Sequence, residues 1–359
     1  MTNDLDIGPV AFSGEGTERI WGMTAAERAR RMLVRDVPAG VAIAPGHRLH
    51  INQDYAFDPL LLRLALRRPG VAFHDGEALV IGQLPEDGEP AERIDLRTSP
   101  GFYNEKLRKT ERPFAIRVSP QTRAQIERAS YFGAYKGVTD LLTKYLWPEL
   151  AFHLTRLAAA LRMTPNMVTG IGATLCVLAT ILFYRGEYWQ GMAAGFVFMV
   201  LDTVDGKLAR CTITSSKWGN VFDHGIDLVH PPFWWAAWGL GLAHVGLALP
   251  VATFAALMVA IVAGYVLQRL CEGVFLKYAG MDMHVWRRFD SWFRLITARR
   301  NPNMAILFVS LIAGRPDIGL IAVAWWTILS LLVHMGQVAQ LVQARKAGRP
   351  ITSWLEQPR

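Results

Sequence analysis

The 359-residue sequence has only three cysteines and no cleavable leader pattern. Cys176, Cys211 and Cys271 are scattered, which excludes a disulfide framework and indicates reduced packing residues. The first ten residues, MTNDLDIGPV, are acidic and lack an apolar run, so no cleaved signal peptide is expected. The first membrane span should therefore act as the insertion signal.

Charge is also missing over one long stretch, because no Asp, Glu, Lys or Arg occurs from Leu228 to Gln268. This run is long enough for two membrane spans of about 20 residues each. Similar apolar runs flank it, so the sequence predicts a polytopic α-helical membrane protein with six transmembrane helices. The spans are expected near residues 164–184, 188–210, 220–244, 249–271, 292–314 and 317–343, the fifth having the shortest uncharged core.

The composition changes near Lys144, before which the sequence is mixed and charged. We predict a small α/β cytoplasmic domain at 1–115, a linker and amphipathic interfacial helix at 116–162, the six-helix domain at 163–345 and a cytoplasmic tail at 346–359. In the first domain we expect a helix from Trp21 to Leu33 and a strand from Val41 to Ala44. We also expect a helix from Asp58 to Arg68, a hairpin around His74-Asp75-Gly76 and an exposed connector from Pro85 to Pro113.

The interfacial helix is predicted from an apolar stripe with charged residues beside it. The alternative is a helix that packs on the soluble domain. The stripe consists of Leu150, Leu154, Leu157 and Leu161.

The basic residues explain the net charge of +8 without a nucleic-acid partner. They crowd the segment from Arg269 to Arg300 and follow the last span at Arg345, Lys346 and Arg349. By the positive-inside rule, both termini and the junction of spans two and three face the cytoplasm. We expect the protein in the cytoplasmic (inner) membrane, with Lys207 and Lys217 as ordinary charges of that face.

Four aspartates follow a helical spacing at this junction. Asp202 and Asp205 are three residues apart, and Asp223 and Asp227 are four apart, so each pair shares one helix face. Two such faces placed opposite each other would bring the carboxylates together, and their repulsion requires cations between them. Acids inside apolar spans are costly and usually functional, which favours a divalent-cation site over four solvated caps.

The full pattern, D-x2-D-G-x2-A-R-x8-G-x3-D-x3-D, resembles the signature of the CDP-alcohol phosphotransferase family. Its fixed positions here are Asp202, Asp205, Gly206, Ala209, Arg210, Gly219, Asp223 and Asp227. The resemblance implies transfer of a phosphoalcohol group from a CDP-alcohol to an acceptor hydroxyl, with release of CMP. It also implies a homodimer.

The resemblance further implies roles for individual residues. The four aspartates are the expected metal ligands for two Mg²⁺ ions, with Mn²⁺ as a substitute, and Asp227 is also the expected general base. The expected nucleotide contacts are Gly206, Ala209, Arg210 and Gly219, together with Asn166 in a T-P-N-x-x-T segment. Singly, the small residues also suit close helix packing, and Arg210 also suits a snorkelling helix end.

The acceptor is less constrained by the sequence. Arg299 and Arg300, with Lys136 earlier in the chain, are candidates for binding a phosphorylated acceptor such as an inositol phosphate. The N-terminal domain resembles a degenerate form of the nucleotidyltransferase-like domain of the family's inositol-type branch. Asn52, Asp54 and Asp58 are its only candidate remnants, and we expect no cytidylyltransferase activity there.

Two other classes of protein compete with this interpretation. A divalent-cation transporter would explain the aspartates but not the glycines, Ala209 and Arg210 at fixed offsets. It would also place the acids nearer the membrane midplane. A catalytically inactive membrane anchor would not need the complete aspartate set.

Overall fold

The structure is a computed structural model that describes residues 9–37 and 41–356, without the side chains of Asp36, Lys217 and Asn220. The chain forms two compact units. The first contains the described residues up to Gly137 together with Phe152–Pro165 and Gly206–Ser216. The second contains Val138–Ala151, Asn166–Asp205 and the described residues from Lys217 onwards. The acidic start of the chain lies mostly outside the described residues.

The first unit has a five-stranded mixed sheet in the order β1-β2-β5-β4-β6. β1 pairs with β2 and β4 with β6 in parallel, whereas β5 runs antiparallel to both β2 and β4. The strands are β1 (Val10–Ser13), β2 (His47–Asn52), β4 (Val71–Asp75), β5 (Ala78–Pro85) and β6 (Glu92–Asp95).

Smaller elements complete this unit. Two two-stranded sheets pair β3 with β9 and β7 with β8. The helices α1 and α2 start at side-chain caps, since Thr24 accepts from the Glu27 N–H at 3.2 Å and Asp58 accepts from the Leu60 N–H at 2.8 Å. The bounds are β3 (Tyr55–Phe57), β7 (Phe102–Asn104), β8 (Lys109–Glu111), β9 (Ala115–Arg117), α1 (Ala25–Asp36), α2 (Pro59–Arg67) and α3 (Arg123–Gly133).

The small α/β character, both helices and the hairpin are confirmed, although the first helix begins at Ala25 rather than Trp21 and ends at Asp36 rather than Leu33. Two other local predictions are wrong. Val41–Ala44 has no strand, because the paired strand β2 begins only at His47. The supposed connector from Pro85 to Pro113 contains β6, β7 and β8. The pairing of β6 with β4 depends on a distant strand, which local composition does not reveal.

The second unit is helical, and the residues of α4 and α6 are divided between the two units. Among the residues that the structure describes, three helices, α5, α8 and α11, are long and apolar enough to cross a membrane. Its tail packs back on the unit, because Ser353 Oγ donates to the Val285 carbonyl at 2.8 Å. The helices are α4 (Pro148–Ala160), α5 (Pro165–Tyr184), α6 (Tyr188–Cys211), α7 (Lys217–Gly241), α8 (Val251–Ala279), α9 (Arg288–Phe293), α10 (Arg300–Ile312) and α11 (Pro316–Lys346).

The predicted fifth span is interrupted. The sequence suggested one helix over 292–314, but α9 ends at Phe293 and α10 begins at Arg300. In the segment between them, the Ala298 N–H donates to Ser330 Oγ at 3.0 Å and Thr297 Oγ1 donates to the Phe293 carbonyl at 2.9 Å. The irregular backbone therefore finds partners inside the protein.

Candidate functional site

Three of the four predicted aspartates converge in the second unit. One carboxylate oxygen from each of Asp202 on α6 and Asp223 and Asp227 on α7 lies within 4.8 Å of the others. We call these three residues the aspartate cluster. Because Asp223 and Asp227 are one helical turn apart, α7 presents both carboxylates on one side, facing Asp202.

Asp205 lies beside this cluster but outside its group of mutually close ligand atoms. It is 3% exposed, and its Oδ2 accepts a hydrogen bond from Thr169 Oγ1 of α5 at 2.6 Å. It nevertheless lines one small cleft with Asp202 and Asp223. Thr169, which the sequence suggested only as part of the T-P-N-x-x-T segment, thus orients the fourth aspartate.

Arg300 supplies the positive charge that the aspartate cluster needs. Its Nη1 donates to Asp227 Oδ1 at 2.5 Å and its Nη2 donates to Asp202 Oδ2 at 2.7 Å. Its Nε donates to Asn301 Oδ1 at 3.0 Å, and its guanidinium carbon lies 5.0 Å from the centre of the Phe198 ring. The guanidinium therefore donates three hydrogen bonds in its plane, and one of its faces lies against the Phe198 ring.

Asp140 fixes the residue that follows Arg300. Asn301 Nδ2 donates to Asp140 Oδ1 at 3.1 Å, and Thr143 Oγ1 donates to Asp140 Oδ2 at 2.8 Å. Burial of Asp140 would raise the pKa of its carboxyl. The nearby Arg294 charge and the hydrogen bonds from Thr143 and Asn301 outweigh this effect and hold the pKa below its ordinary value.

The predicted nucleotide contacts fall in both units. Gly206, Ala209 and Arg210 belong to the first unit, and a Cβ on Gly206 would come within 3.1 Å of the Arg210 guanidinium. Gly219 and Asn166 belong to the second. Glycine at position 206 therefore has a structural role besides the predicted nucleotide contact, because it leaves room for the Arg210 side chain one turn later.

Lys207 differs from the expectation of an ordinary surface charge. It is only 2% exposed, and its Nζ lies 3.0 Å from the centre of the Tyr135 ring in the first unit. The cation therefore rests on an aromatic face rather than in water. Lys217 has no described side chain.

Asn166 also lines an apolar groove of about 880 Å³ between α5 and α7. Most of its other lining residues are apolar, including Val177, Phe222 and Phe233. His230 contributes a buried polar side chain to the lining, and its Nδ1 lies 2.7 Å from the Ile226 carbonyl. Such a lining suits a hydrocarbon chain better than a nucleotide or an ion.

Two of the three candidates for acceptor binding, Arg299 and Arg300, have different partners within the second unit. Arg300 binds the aspartate cluster, whereas Arg299 turns to Glu272, with Nη2 donating to Oε1 at 2.5 Å. The extended backbone at Arg299, with φ −130° and ψ 175°, sends these consecutive side chains to different partners. Lys136 belongs to the first unit, where its side chain is exposed.

A second polar group, not predicted from the sequence, surrounds Glu272. One ligand atom from each of Glu272, His284 and His334 lies within 4.8 Å of the others. Arg269 Nη2 lies 2.9 Å from the same Glu272 oxygen that Arg299 binds. We call these five residues the glutamate–histidine cluster. The available signal was Glu272 itself, the one acidic residue of a long and mostly apolar helix.

Burial shapes this second cluster. His284 and His334 are 1% and 0% exposed, and burial lowers the pKa of His284 to about 4. Neither ring nitrogen of His334 has a hydrogen-bond partner in the described part of the chain. With neutral histidines, one carboxylate and two guanidiniums leave a net charge of +1, which opposes binding of a further cation.

Residues 162–355, more than half of the chain, match the family model described as CDP-alcohol phosphatidyltransferase. The chain belongs to the CDP-alcohol phosphatidyltransferase family. The matched region contains the aspartate cluster and Arg300, so the convergence of acids described above occurs within the family domain. The first unit's β-sheet precedes that region.

Curated relatives of this chain include enzymes with two different names. The chain is 29% identical over 136 residues to phosphatidylinositol phosphate synthase of Mycolicibacterium smegmatis, covering 36% of this chain and 60% of that protein. It is 26% identical over 150 residues to cholinephosphotransferase 1 of Xenopus laevis, covering 39% and 34%. The chain thus spans between about a third and three fifths of the length of these relatives.

Among solved structures, the chain is similar to Mycobacterium tuberculosis phosphatidylinositol phosphate synthase (PgsA1) with CDP-DAG bound. The TM-score is 0.39 at 16% identity, over 53% of this chain and 93% of that one. The same enzyme in complex with manganese and citrate gives a TM-score of 0.40.

Proposed function

We propose that this protein is an integral-membrane CDP-alcohol phosphotransferase. It transfers a phosphoalcohol group from a CDP-alcohol, of the CDP-diacylglycerol or CDP-inositol type, to an acceptor hydroxyl and releases CMP. The observation that carries this proposal is the approach of Asp202, Asp223 and Asp227 to within 4.8 Å inside the family domain.

The donor atoms of this cluster fit a hard divalent cation. All of them are carboxylate oxygens, the ligand type that Mg²⁺ and Mn²⁺ prefer. We assign Asp202, Asp223 and Asp227, with Asp205 beside them, as the residues that hold two Mg²⁺ ions or Mn²⁺ in their place. When bound, such ions neutralise a pyrophosphate and stabilise the leaving oxygen.

Asp227 is proposed as the general base. Its side chain is 43% exposed, so an acceptor hydroxyl can reach the carboxylate from outside the cluster. The acceptor oxygen forms a bond to the β-phosphorus, the bond from that phosphorus to the CMP oxygen breaks, and the hydroxyl proton passes to Asp227. Arg300 holds Asp227 Oδ1, which leaves Oδ2 as the oxygen available for the proton.

Gly206, Ala209, Arg210, Gly219 and Asn166 are proposed as the nucleotide-binding residues. The small residues keep helix surfaces open to a flat ligand, and Arg210 offers a planar fork to a phosphate. The apolar groove that begins at Asn166 suits the acyl chain of a lipid substrate. One substrate should therefore be amphiphilic and enter from the membrane.

We further propose six transmembrane helices, α5, α6, α7, α8, α10 and α11, in the cytoplasmic membrane, with the site and both termini on the cytoplasmic side. Helix α4 is proposed to lie at the membrane interface, because Leu150, Leu157 and Leu161 on or just after it are exposed. The protein is proposed to act as a homodimer.

The N-terminal α/β unit is proposed to lack cytidylyltransferase activity. Each of its candidate remnants serves the local backbone. Asn52 Nδ2 donates to the Leu79 carbonyl, Asp54 Oδ1 accepts from the Glu15 N–H, and Asp58 caps α2. Burial raises the pKa of Asp58, which further suits a structural role.

The decisive experiment measures CMP release by the purified full-length protein with Mg²⁺, a panel of CDP-alcohols, and phosphorylated and unphosphorylated acceptors. CMP release that requires both a donor and an acceptor would support the proposal. If no donor yields CMP while reconstituted vesicles show divalent-cation flux, the protein is a transporter instead. Formation of a CDP-alcohol from CTP by the same preparation would contradict the role given to the N-terminal unit.

A further inference from the structure

Arg300 makes contacts that a phosphate-binding arginine would not need. All three of its nitrogen atoms donate to side chains, Nη1 to Asp227, Nη2 to Asp202 and Nε to Asn301. The side chain is 12% exposed, and Asp202, one of its partners, is 17% exposed. A guanidinium thus lies between two of the four carboxylates that are assigned to metal binding.

Charge balance explains why an arginine is stable there. Asp202, Asp223 and Asp227 would place three negative charges within a few ångströms of each other, and Arg300 reduces the net charge to −2. The same guanidinium repels any divalent cation that approaches these carboxylates. It also uses Asp202 Oδ2 and Asp227 Oδ1, so those two oxygens must be shared or released when a cation binds.

We propose that Arg300 competes with divalent cations for Asp202 and Asp227, and so sets the metal affinity of the aspartate cluster. This inference rests on the proposed metal-binding role of the cluster. The arginine makes Mg²⁺ or Mn²⁺ bind more weakly than the carboxylates alone would allow. Its loss should therefore tighten metal binding, whereas loss of a ligand would weaken it.

The adjacent arginine provides a matched control. Arg299 is also partly buried, with 25% of its side chain exposed, and also binds a carboxylate at 2.5 Å. Its carboxylate is Glu272, in the glutamate–histidine cluster. Arg299→Gln therefore removes the same charge from the preceding residue without releasing an aspartate.

The experiment measures binding of Mn²⁺ alone to the purified full-length protein by electron paramagnetic resonance, without nucleotide or acceptor. We expect Arg300→Gln to bind Mn²⁺ at least about tenfold more tightly than the wild type, Arg299→Gln to match the wild type, and Asp202→Asn to bind more weakly. Arg300→Lys keeps the positive charge but loses the fork, so its affinity should lie between those of the wild type and Arg300→Gln.

A second measurement tests the same proposal if Arg300→Gln folds poorly. Without its arginine the cluster should be destabilised by repulsion, and Mn²⁺ should raise the Tm of Arg300→Gln, or of Arg300→Lys if the former does not fold, more than that of the wild type. Equal or weaker Mn²⁺ affinity in the Arg300 variants, or equal tightening in Arg299→Gln, overturns the competition. A wild type that binds no Mn²⁺ while Asp202→Asn behaves identically overturns the proposed metal site as well.

Discussion

The aspartate cluster and the glutamate–histidine cluster have similar distances between their ligand atoms, but their net charges have opposite signs. Each brings three ligand atoms within 4.8 Å of one another, and each contacts arginine. Three carboxylates face one guanidinium in the first, giving a net charge of −2. One carboxylate faces two guanidiniums in the second, giving +1.

Ligand geometry alone therefore does not identify a metal site. The second cluster contains a His₂Glu donor set that zinc enzymes use, yet both of its arginines lie within hydrogen-bonding distance of the glutamate. Adding a divalent cation would raise its net charge to +3 in a buried place. Only the aspartate cluster has negative charge left over after its arginine is counted.

The strongest loss of activity should come from Asp202→Asn. The amide keeps the size of the side chain but removes a charge from the cluster, so CMP release should fall by at least about 100-fold, comparable to losing a group that stabilises transition-state charge. The assay is CMP release at saturating Mg²⁺, with folding checked by Tm.

The control is Glu272→Gln, which makes the same chemical change in the glutamate–histidine cluster and should keep wild-type Mn²⁺ affinity. Near-normal turnover in Asp202→Asn would contradict the assignment of the aspartate cluster, rather than the glutamate–histidine cluster, as the metal site.

Glu272→Gln should instead lower stability. Its carboxylate is the shared partner of Arg269 and Arg299, and all three side chains are about a fifth to a quarter exposed. Leaving two partly buried guanidiniums without a carboxylate should cost about 2–3 kcal/mol. The measurement is the free energy of unfolding in detergent. Glu92→Gln, in the exposed Arg68–Glu92 pair, is the control and should cost less than about 1 kcal/mol.

The glutamate–histidine cluster should also respond to mild acid. Burial lowers the pKa of His284 to about 4, so between pH 6.5 and 4 the unfolded chain binds a proton that the folded chain does not. Stability should fall across this window as the pH falls, by about 3 kcal/mol. Comparing the wild type with His284→Gln isolates this contribution, and parallel pH profiles would contradict it. Glu272, Arg299 and Asp282 also influence this imidazole.

Asp140→Asn should have the mildest effect. It weakens the support of Asn301, next to Arg300, and should cost about 1–2 kcal/mol of stability at pH 7. Because the folded pKa of Asp140 is lowered, its charged form stabilises the protein above about pH 4. That contribution disappears as the pH falls through the lower folded pKa. The difference in unfolding free energy between wild type and variant should therefore shrink only below pH 4.

The aspartate cluster was largely predictable because it depends on helical spacing. Residues three or four apart on two long helices share a face in almost any packing, so Asp202, Asp223 and Asp227 could be grouped before the fold was known. Their proposed roles remain predictions. Arg300 was named only as a possible acceptor ligand, because its partners lie 73 and 98 residues away in sequence.

The second cluster shows why the rest could not be predicted. Glu272, His284 and His334 come from a helix, a short turn and another helix, with no spacing that links them. In the N-terminal unit the local signals, such as Thr24 before α1 and the turn at Gly76, were sufficient for α1 and the hairpin. The strand β6 could not be recognised, because its place beside β4 depends on tertiary pairing.

The interruption before α10 has a consequence for lipid packing under the proposed six-span arrangement. A 13-residue helix is about 20 Å long, whereas the hydrocarbon core of a bilayer is about 30 Å thick. If α10 crosses the membrane as proposed, the bilayer would have to thin around it or the helix would have to sit toward one leaflet, since tilting would shorten its reach further. Turnover should therefore depend on acyl-chain length in reconstituted vesicles, with shorter lipids favouring the arrangement described here.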